Sequence, residues 1–360
     1  MNSLTTSEFD KSKAEAFAGQ VIGILNGVML SLMISIGHRT RLFDTMAGLP
    51  ASTSEQMAQK VGLNERYVRE WLGAMVTGRI IEYNKESGTY RLPPEHAVAI
   101  TREAGIDNLA TFTQYFSLFG NVEDQIVECF RKGGGVSYSF YPRFQRLEAE
   151  TNAQIHDARL IGTSLPLVPG LVERLKKASD VLDVGCGSGH AINLMAKAFP
   201  KSSFVGYDFS KEGIAAGREE AKRLKLSNVR FEVKDVVTLN ERDKYDFITA
   251  FDAIHDQAHP TKVLKAISNA LRPDGVFLMV DIAASSNLHE NLDHPLAPAL
   301  YSVSTMHCMT VSLAYAGEGL GTMWGEQKAR QKLKDAGFTK VEVKQVPGDI
   351  LNNYFIVTKG

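Results

Sequence analysis

The segment Phe251-Asp-Ala-Ile-His-Asp-Gln-Ala-His-Pro260 brings two imidazoles and two carboxylates into ten residues. An imidazole with a reference pKa of ~6.5 can take a proton near neutrality, so His255 suits removal of a proton from an O–H or S–H group. Asp256 follows it directly. The plainer use of His255 is to cap a helix or fill a crevice. His255 and His259 stand four apart beside Asp256, a spacing that two zinc ligands on one helix could use. Pro260 disfavours a continuous helix there, so no metal is expected.

A second chemical signal is Val181-Leu-Asp-Val-Gly-Cys-Gly-Ser-Gly-His190. An apolar strand runs straight into Gly185, Gly187 and Gly189, which permit a tight turn and close approach of a ligand to the backbone. The helix that follows carries Leu194, Met195 and Ala198 and ends before Pro200. The spacing G-x-G-x-G is not the G-x-G-x-x-G fingerprint of dinucleotide binding. Asp183 lies two residues before the first glycine, where a dinucleotide fold would carry an apolar residue. A buried acid needs a polar reason, and a cationic, phosphate-free nucleoside supplies one. The next strand ends at Asp208, placed to accept hydrogen bonds from ribose hydroxyls. After the third strand, Asp235 and Val236 can reach an adenine edge, although an acid in a surface turn is equally ordinary.

These residues need a scaffold. From about Asp180 onward, short aliphatic runs alternate with amphipathic helices, the pattern of a parallel sheet covered on both faces. Strands are expected at Val181–Val184, Phe204–Asp208, Val229–Val233, Phe247–Phe251 and Val276–Asp281, then at Val341–Val346 and Tyr354–Thr358. Between the fifth strand and the last two lies a long insertion, Ala283 to about Gly325, rich in Met, His, Tyr and Gly. Loops of that length usually shape substrate sites. Its Tyr301, His307 and Trp324 are the expected acceptor contacts, and His294, Cys308 and Met309 are also within its reach. Tyr141 and Phe144, from the run SYSFYPRF at Ser137–Phe144, are expected to cover the same pocket. His259 and His307 remain open as partners in the work of His255.

The first half reads differently. Ser54–Val61 and Asn64–Thr77 are helical by pattern, the second with Val68, Trp71, Leu72 and Met75 at spacings of three and four and Asn64 as its cap. Arg79–Tyr83 and Thr89–Leu92 flank a turn with Gly88, giving helix, turn, helix and hairpin, the order of a winged helix. On the second helix Arg66 and Arg69 are offset by Glu65 and Glu70, which argues against DNA reading. Three domains are expected: residues 1–95 a winged helix, 96–170 a helical connector that covers the pocket, and 171–360 the catalytic domain.

The net charge of −1 and 44% hydrophobic content describe an ordinary globular chain without a basic excess for nucleic acid. Cys129, Cys186 and Cys308 are odd in number and far apart, which fits a reducing compartment, and the cytoplasm is the expected location. The polar N-terminus is no secretory signal. Val21–Ile36 is apolar but interrupted by Gly23, Asn26 and Gly27, and is expected to be a buried helix at a dimer interface and not a membrane span.

VLDVGCGSG, Asp208, Lys234-Asp-Val236 and LRPDGVFLMVD together resemble the class I S-adenosylmethionine (SAM)-dependent methyltransferases, most strongly over residues 178 to 283. The resemblance implies a Rossmann-like α/β domain with a seven-stranded sheet whose last strand is antiparallel. It also implies a SAM pocket lined by Asp183, Gly185, Gly187, Asp208, Phe209, Asp235, Val236 and the Phe251 segment. With the winged helix included, the chain resembles the small-molecule O-methyltransferases that dimerise through that domain. Their (L/I)-H-D segment matches Ile254-His255-Asp256, in which the histidine deprotonates the acceptor. Their tryptophan after H-D is Gln257 here, which leaves the acceptor type open. The expected activity is methyl transfer to a hydroxyl or thiol of a small molecule, with S-adenosylhomocysteine as by-product. The alternatives are S-methylation of small thiols or sulfide, a SAM-sensing winged-helix regulator, and a nicotinamide oxidoreductase, which the glycine spacing disfavours.

Overall fold

A computed structural model describes residues 9–359, and these divide into two compact units with the boundary after Ser117. The expected connector 96–170 is therefore shared between the two units.

In the first unit, α1 (Lys11–Arg39), α2 (Leu42–Ala47), α3 (Ser54–Val61) and α4 (Glu65–Thr77) precede a hairpin of β1 (Glu82–Asn84) and β2 (Thr89–Arg91), followed by α5 (Pro94–Ile100). The α4 pattern is realised: Val68, Trp71, Leu72 and Met75 are its buried residues, and the Asn64 side chain accepts from the Arg66 N–H. Thr53 and Gln56 add a reciprocal cap at the start of α3, which stabilises a short helix that propensity alone would not hold. The hairpin pairs Tyr83 with Tyr90 and turns through Gly88 at φ 66°.

The Val21–Ile36 run is part of a longer helix and is not buried as expected. Leu30, Met33 and Ile34 near the C-terminal end of α1 pack on the core of this unit, and Met33 O accepts from the Trp71 indole at 2.8 Å. Residues 9–29 are all exposed, among them Phe17, Ile22, Ile24, Leu25 and Met29. Glycines at 19, 23 and 27 did not interrupt the helix because they carry no strain at helical φ/ψ, only a propensity cost. By length and composition α1 is apolar enough to cross a membrane.

The second unit begins within α6 (Gln114–Gly120) and continues through α7 (Glu123–Lys132), α8 (Phe144–Arg159) and α9 (Leu171–Lys177). The sheet then forms from β3 (Asp180–Val184), β4 (Ser203–Asp208), β5 (Val229–Val233), β6 (Tyr245–Phe251), β7 (Leu271–Ile282), β8 (Lys340–Lys344) and β9 (Asn352–Thr358). Its order is β5-β4-β3-β6-β7-β9-β8, and only β9 runs against its neighbours. The intervening helices are α10 (His190–Ala198), α11 (Lys211–Arg223) and α12 (Pro260–Ala270), then α13 (Ala297–Val303), α14 (Met309–Ala314) and α15 (Gly325–Asp335). Every expected strand of this sheet is present within two residues except β7, which starts five residues earlier through a bulge, whereas in the first unit β1 starts three residues later than expected.

Alternation along β3 divides the core. Leu182 and Val184 join one apolar layer with Tyr245, Ile248 and Phe355, while Val181 joins the other with Ile192, Met195 and Phe204. The chain runs from β3 outward to β5 and then returns to β6 on the other side. The carboxyl ends of β3 and β6 therefore flank the point where the winding reverses, the place where an open α/β sheet leaves a crevice.

Candidate active site

One wall of the crevice is the glycine loop. Gly185, Gly187 and Gly189 have φ of 68°, 52° and 72°, the left-handed region that glycine enters without strain. The Gly185 and Cys186 N–H groups both donate to Tyr207 O of β4, at 2.8 and 3.1 Å, which fastens the loop over the neighbouring strand. At Gly189 a Cβ would collide with the Phe231 ring, so that glycine also provides the close helix–strand packing.

Asp183 precedes the last residue of β3 and is buried, its Oδ1 accepting from Thr249 Oγ1 at 2.7 Å. Burial pushes its carboxyl up to about 7 against the opposing Thr249 hydrogen bond, with nearby Asp208 adding to the rise. Asp208 is held by backbone donors on both oxygens, from Gly187 N at 2.9 Å and Ser210 N at 2.7 Å. Burial also raises this carboxyl, although those two donors oppose it.

Asp183, Gly185, Gly187 and Phe251 line one cleft together. Facing them is a stripe of α8 that sequence reasoning missed, with Gln145, Glu148, Asn152 and His156. Their spacing of three, four and four puts them on one helix face, a signal the sequence did carry. His156 meets the Phe251 ring edge-on at 4.8 Å, and burial lowers its pKa to about 4. Phe209 is half-exposed beside Tyr138, with ring centroids 5.4 Å apart. Asp235 and Val236 do not line this cleft. Asp235 is exposed and spends Oδ1 on the Val237 N–H, capping a short turn, while Val236 is buried in the apolar layer.

The other wall surrounds His255, which is 4% exposed. Its Nδ1 lies 2.8 Å from Asp281 Oδ1 at the end of β7, and the same oxygen accepts from Trp324 Nε1 at 2.9 Å and Ile282 N at 2.8 Å. These contacts fix the ring with Nδ1 as donor and leave Nε2 facing Asp256 Oδ1 at 3.3 Å. Burial alone would lower the imidazole pKa, but the carboxylates of Asp281 and Asp256 outweigh it and hold it well above the usual range. Asp252, at φ 47° just after β6, is pushed up to about 8 by burial and by Asp281.

An aromatic cluster continues from this dyad. His307 stacks on Phe144 with centroids 4.1 Å apart and meets Tyr141 and Tyr138 edge-on at 4.9 and 5.5 Å. Tyr138 also points its hydroxyl at Asp256 Oδ2, 3.5 Å away. Burial depresses the His307 pKa to about 4, so its ring is neutral. The 138–144 segment reaches the insertion because Gly135 packs against the α14 backbone where a side chain would collide, and Val136 N donates to Thr310 Oγ1 at 2.9 Å. Tyr141, Phe144 and His307 are thus brought together as expected. Trp324 stands behind Asp281 instead of joining them, and Tyr301 lies in a separate cluster with Leu300 and Met323, its hydroxyl accepting from Asn291. His259 begins α12 and has no part in the dyad.

Residues 28–102 match the Rv2258c-like winged HTH domain, and residues 175–337 match a methyltransferase domain. The chain therefore joins a winged HTH domain to a Rossmann-like methyltransferase domain. Its sequence is similar over 106 residues to (S)-coclaurine N-methyltransferase of Papaver somniferum, at 31% identity, covering 29% of this chain and 30% of that enzyme. The chain spans 60% or less of the length of the curated relatives it matches. The likeness in fold is more complete. Human N-acetylserotonin methyltransferase in complex with SAM superposes with TM-score 0.70 at 15% identity, covering 99% of this chain and 100% of that one. Mitomycin 7-O-methyltransferase MmcR gives 0.67 at 16% identity, covering 97% and 100%.

Proposed function

We propose that the chain transfers the methyl group of SAM to a hydroxyl of a small, partly apolar molecule, releasing S-adenosylhomocysteine. The observation that carries this is the His255–Asp281 dyad at 2.8 Å, in the segment that follows β6 at the carboxyl edge of the sheet. SAM offers a sulfonium and an ammonium, and buried Asp183 suits a cationic ligand. The proposed ribose partner is Asp208, already aligned by the Gly187 N–H. The related human N-acetylserotonin methyltransferase structure holds SAM, in keeping with this choice.

In the proposed reaction His255 Nε2 removes the acceptor proton while the oxygen attacks the methyl carbon and the carbon–sulfonium bond breaks. Asp281 holds the imidazole in register and stabilises the imidazolium that forms, and Asp256 flanks the transferred proton. Alignment of nucleophile and sulfonium supplies the larger share of the rate, ~7 to 11 kcal/mol in favourable cases, against ~10² to 10⁴-fold from the base. A thiol acceptor remains the second reading: Cys308 beside His255 makes the pocket more hospitable to sulfur than aromatic rings alone would.

The partner is proposed to be a small molecule and not DNA. On α4, Arg66 pairs with Glu70 and Arg69 with Glu65, which leaves little free positive charge for phosphate. The exposed apolar residues of α1 support a homodimer in which a second copy covers them. All three cysteines are free thiols, in keeping with a cytoplasmic location. Incubating the protein with SAM and a panel of phenols, alcohols and thiols, read by mass spectrometry, tests the activity. A methylated phenol or alcohol is expected, whereas exclusive thiol methylation would reassign the acceptor atom, and no SAM turnover with any of them would reject the reading.

A further inference from the structure

The side chains around His255 form a set that proton transfer does not use up. A ring nitrogen of His255, a carboxylate oxygen of Asp256 and Cys308 Sγ all lie within 4.8 Å of one another, and Nε2 is the nitrogen that Asp281 does not engage. Cys308 comes from the insertion and is buried, so this convergence of segments is invisible to local spacing. Asp256 Oδ1 is a buried atom without a hydrogen-bond partner, facing Nε2 at 3.3 Å. Asp281 Oδ2, behind the ring, is likewise buried and unpartnered. Asp256 and Asp281 thus set two carboxylates against a single imidazole, each with one unpartnered oxygen that a cation would engage.

We propose that His255 Nε2, Asp256 and Cys308 Sγ form a binding site for a thiophilic divalent cation, zinc being the natural occupant. One sulfur, one imidazole nitrogen and one carboxylate oxygen suit zinc and exclude the all-oxygen preference of magnesium and calcium. In a tetrahedral zinc site, ligand atoms at ~2.0 to 2.3 Å from the metal stand about 3.5 Å apart, so the trio needs to close by roughly an ångström. The support behind it is in place: a metal-bound histidine almost always donates its other N–H to a carboxylate, as His255 Nδ1 does to Asp281. Trp324 and the Ile282 N–H fix that carboxylate in turn. Three protein ligands leave a fourth position open to water or a further ligand. Zinc there occupies the Nε2 lone pair and withdraws the base, a consequence that rests on the methyltransferase reading although the site itself does not.

Cobalt titration of the full chain, stripped of metal by chelator dialysis, tests the site without any methyl acceptor. One equivalent of Co²⁺ is expected to give a near-ultraviolet thiolate-to-metal band together with visible bands of tetrahedral cobalt, and zinc should abolish both. Cys308→Ser should remove the near-ultraviolet band and weaken binding at least ~10-fold, while Cys129→Ser leaves both unchanged. If Cys308→Ser does not fold, Asp256→Asn should weaken cobalt binding by a similar factor and retain the thiolate band. No band with the native protein, a band that survives Cys308→Ser, or unchanged affinity in a folded Asp256→Asn overturns the site. A zinc-loaded protein that passes these tests yet still methylates at full rate overturns the base role of His255 and leaves the metal site standing.

Discussion

The two walls of the crevice are made of different material. The glycine-loop wall is mainly backbone: three left-handed glycines, two N–H groups on Tyr207 O, and a carboxylate aligned by two more N–H groups. The His255 wall is mainly side chains, with an imidazole, three carboxylates, a thiol and stacked rings drawn from separate segments. A backbone wall has one shape and nothing to titrate except its acids, so it serves recognition of a constant ligand. A side-chain wall can be retuned one residue at a time and holds the groups whose protonation decides the rate. Substitutions in the first should therefore change affinity for SAM, and substitutions in the second should change turnover.

Loss of the imidazole tests that division directly. His255→Ala should lower turnover with the identified acceptor by ~10² to 10⁴-fold while SAM affinity by calorimetry stays within a few-fold. A loss of SAM affinity as large as the loss of turnover would merge the two walls into one.

Next comes the glycine wall. Gly189→Ala places a methyl group against Phe231 at a backbone φ of 72°, so it carries both a clash and left-handed strain. It should destabilise the second unit by about 1–3 kcal/mol in denaturant unfolding and weaken SAM binding. Gly187→Ala, with open space around its Cβ, should cost only the strain. Equal effects from the two would show that packing on Phe231 is not what Gly189 provides.

The contrast between walls also explains what the sequence could disclose. The loop wall is contiguous from Val181 to His190, with Asp208 one strand away, so residue order and strand position sufficed to find it. All seven strands were legible because β-branched and aliphatic runs in a parallel sheet are apolar on both faces. Asp281 is not legible as a partner because it lies 26 residues from His255 and its hydrogen bond depends on β6 and β7 being neighbours. Trp324, an aromatic in an insertion, carries no sequence hint that its N–H turns back to a strand end. Asp235 follows β5, where an adenine contact is expected, yet its side chain is engaged in a local turn. Burial of the α1 run depends on what covers it, and one copy of the chain covers only its C-terminal part.

Removing the brace from behind the base should have a smaller and more specific effect. Asp281 and Asp256 hold the His255 pKa well above ~6.5, so the resting imidazole is protonated at neutral pH and its free base appears only as pH rises through the elevated pKa. Turnover should therefore climb with pH beyond the range of an unperturbed histidine. In Asp281→Asn that rise should move to lower pH by about one unit or more, and maximal turnover should fall because the imidazolium formed in the reaction loses its counter-charge. The ion pair also stabilises the fold, fully below the unfolded-state pKa of the imidazole, and that stability is lost as pH rises through the folded one. Wild-type protein should thus gain less from Asp281 in alkaline unfolding experiments than at pH 6. A pH profile unmoved by Asp281→Asn would mean that another group limits the reaction.

The smallest effect lies at the one titratable group that the backbone wall buries most deeply. Asp183 is raised to about 7 by burial, so below that pH it is largely protonated in the ligand-free protein. A cation such as the ammonium of SAM favours the carboxylate, and binding must then expel a proton. SAM affinity should fall as pH drops below about 7, by at most ~10-fold per unit, and calorimetry in buffers of different ionisation enthalpy should count up to one proton released. Asp183→Asn should erase that proton release while leaving the glycine loop shaped as before. Should the pH dependence survive in Asp183→Asn, the proton belongs to another group and Asp183 is not the partner of the ligand's cationic end.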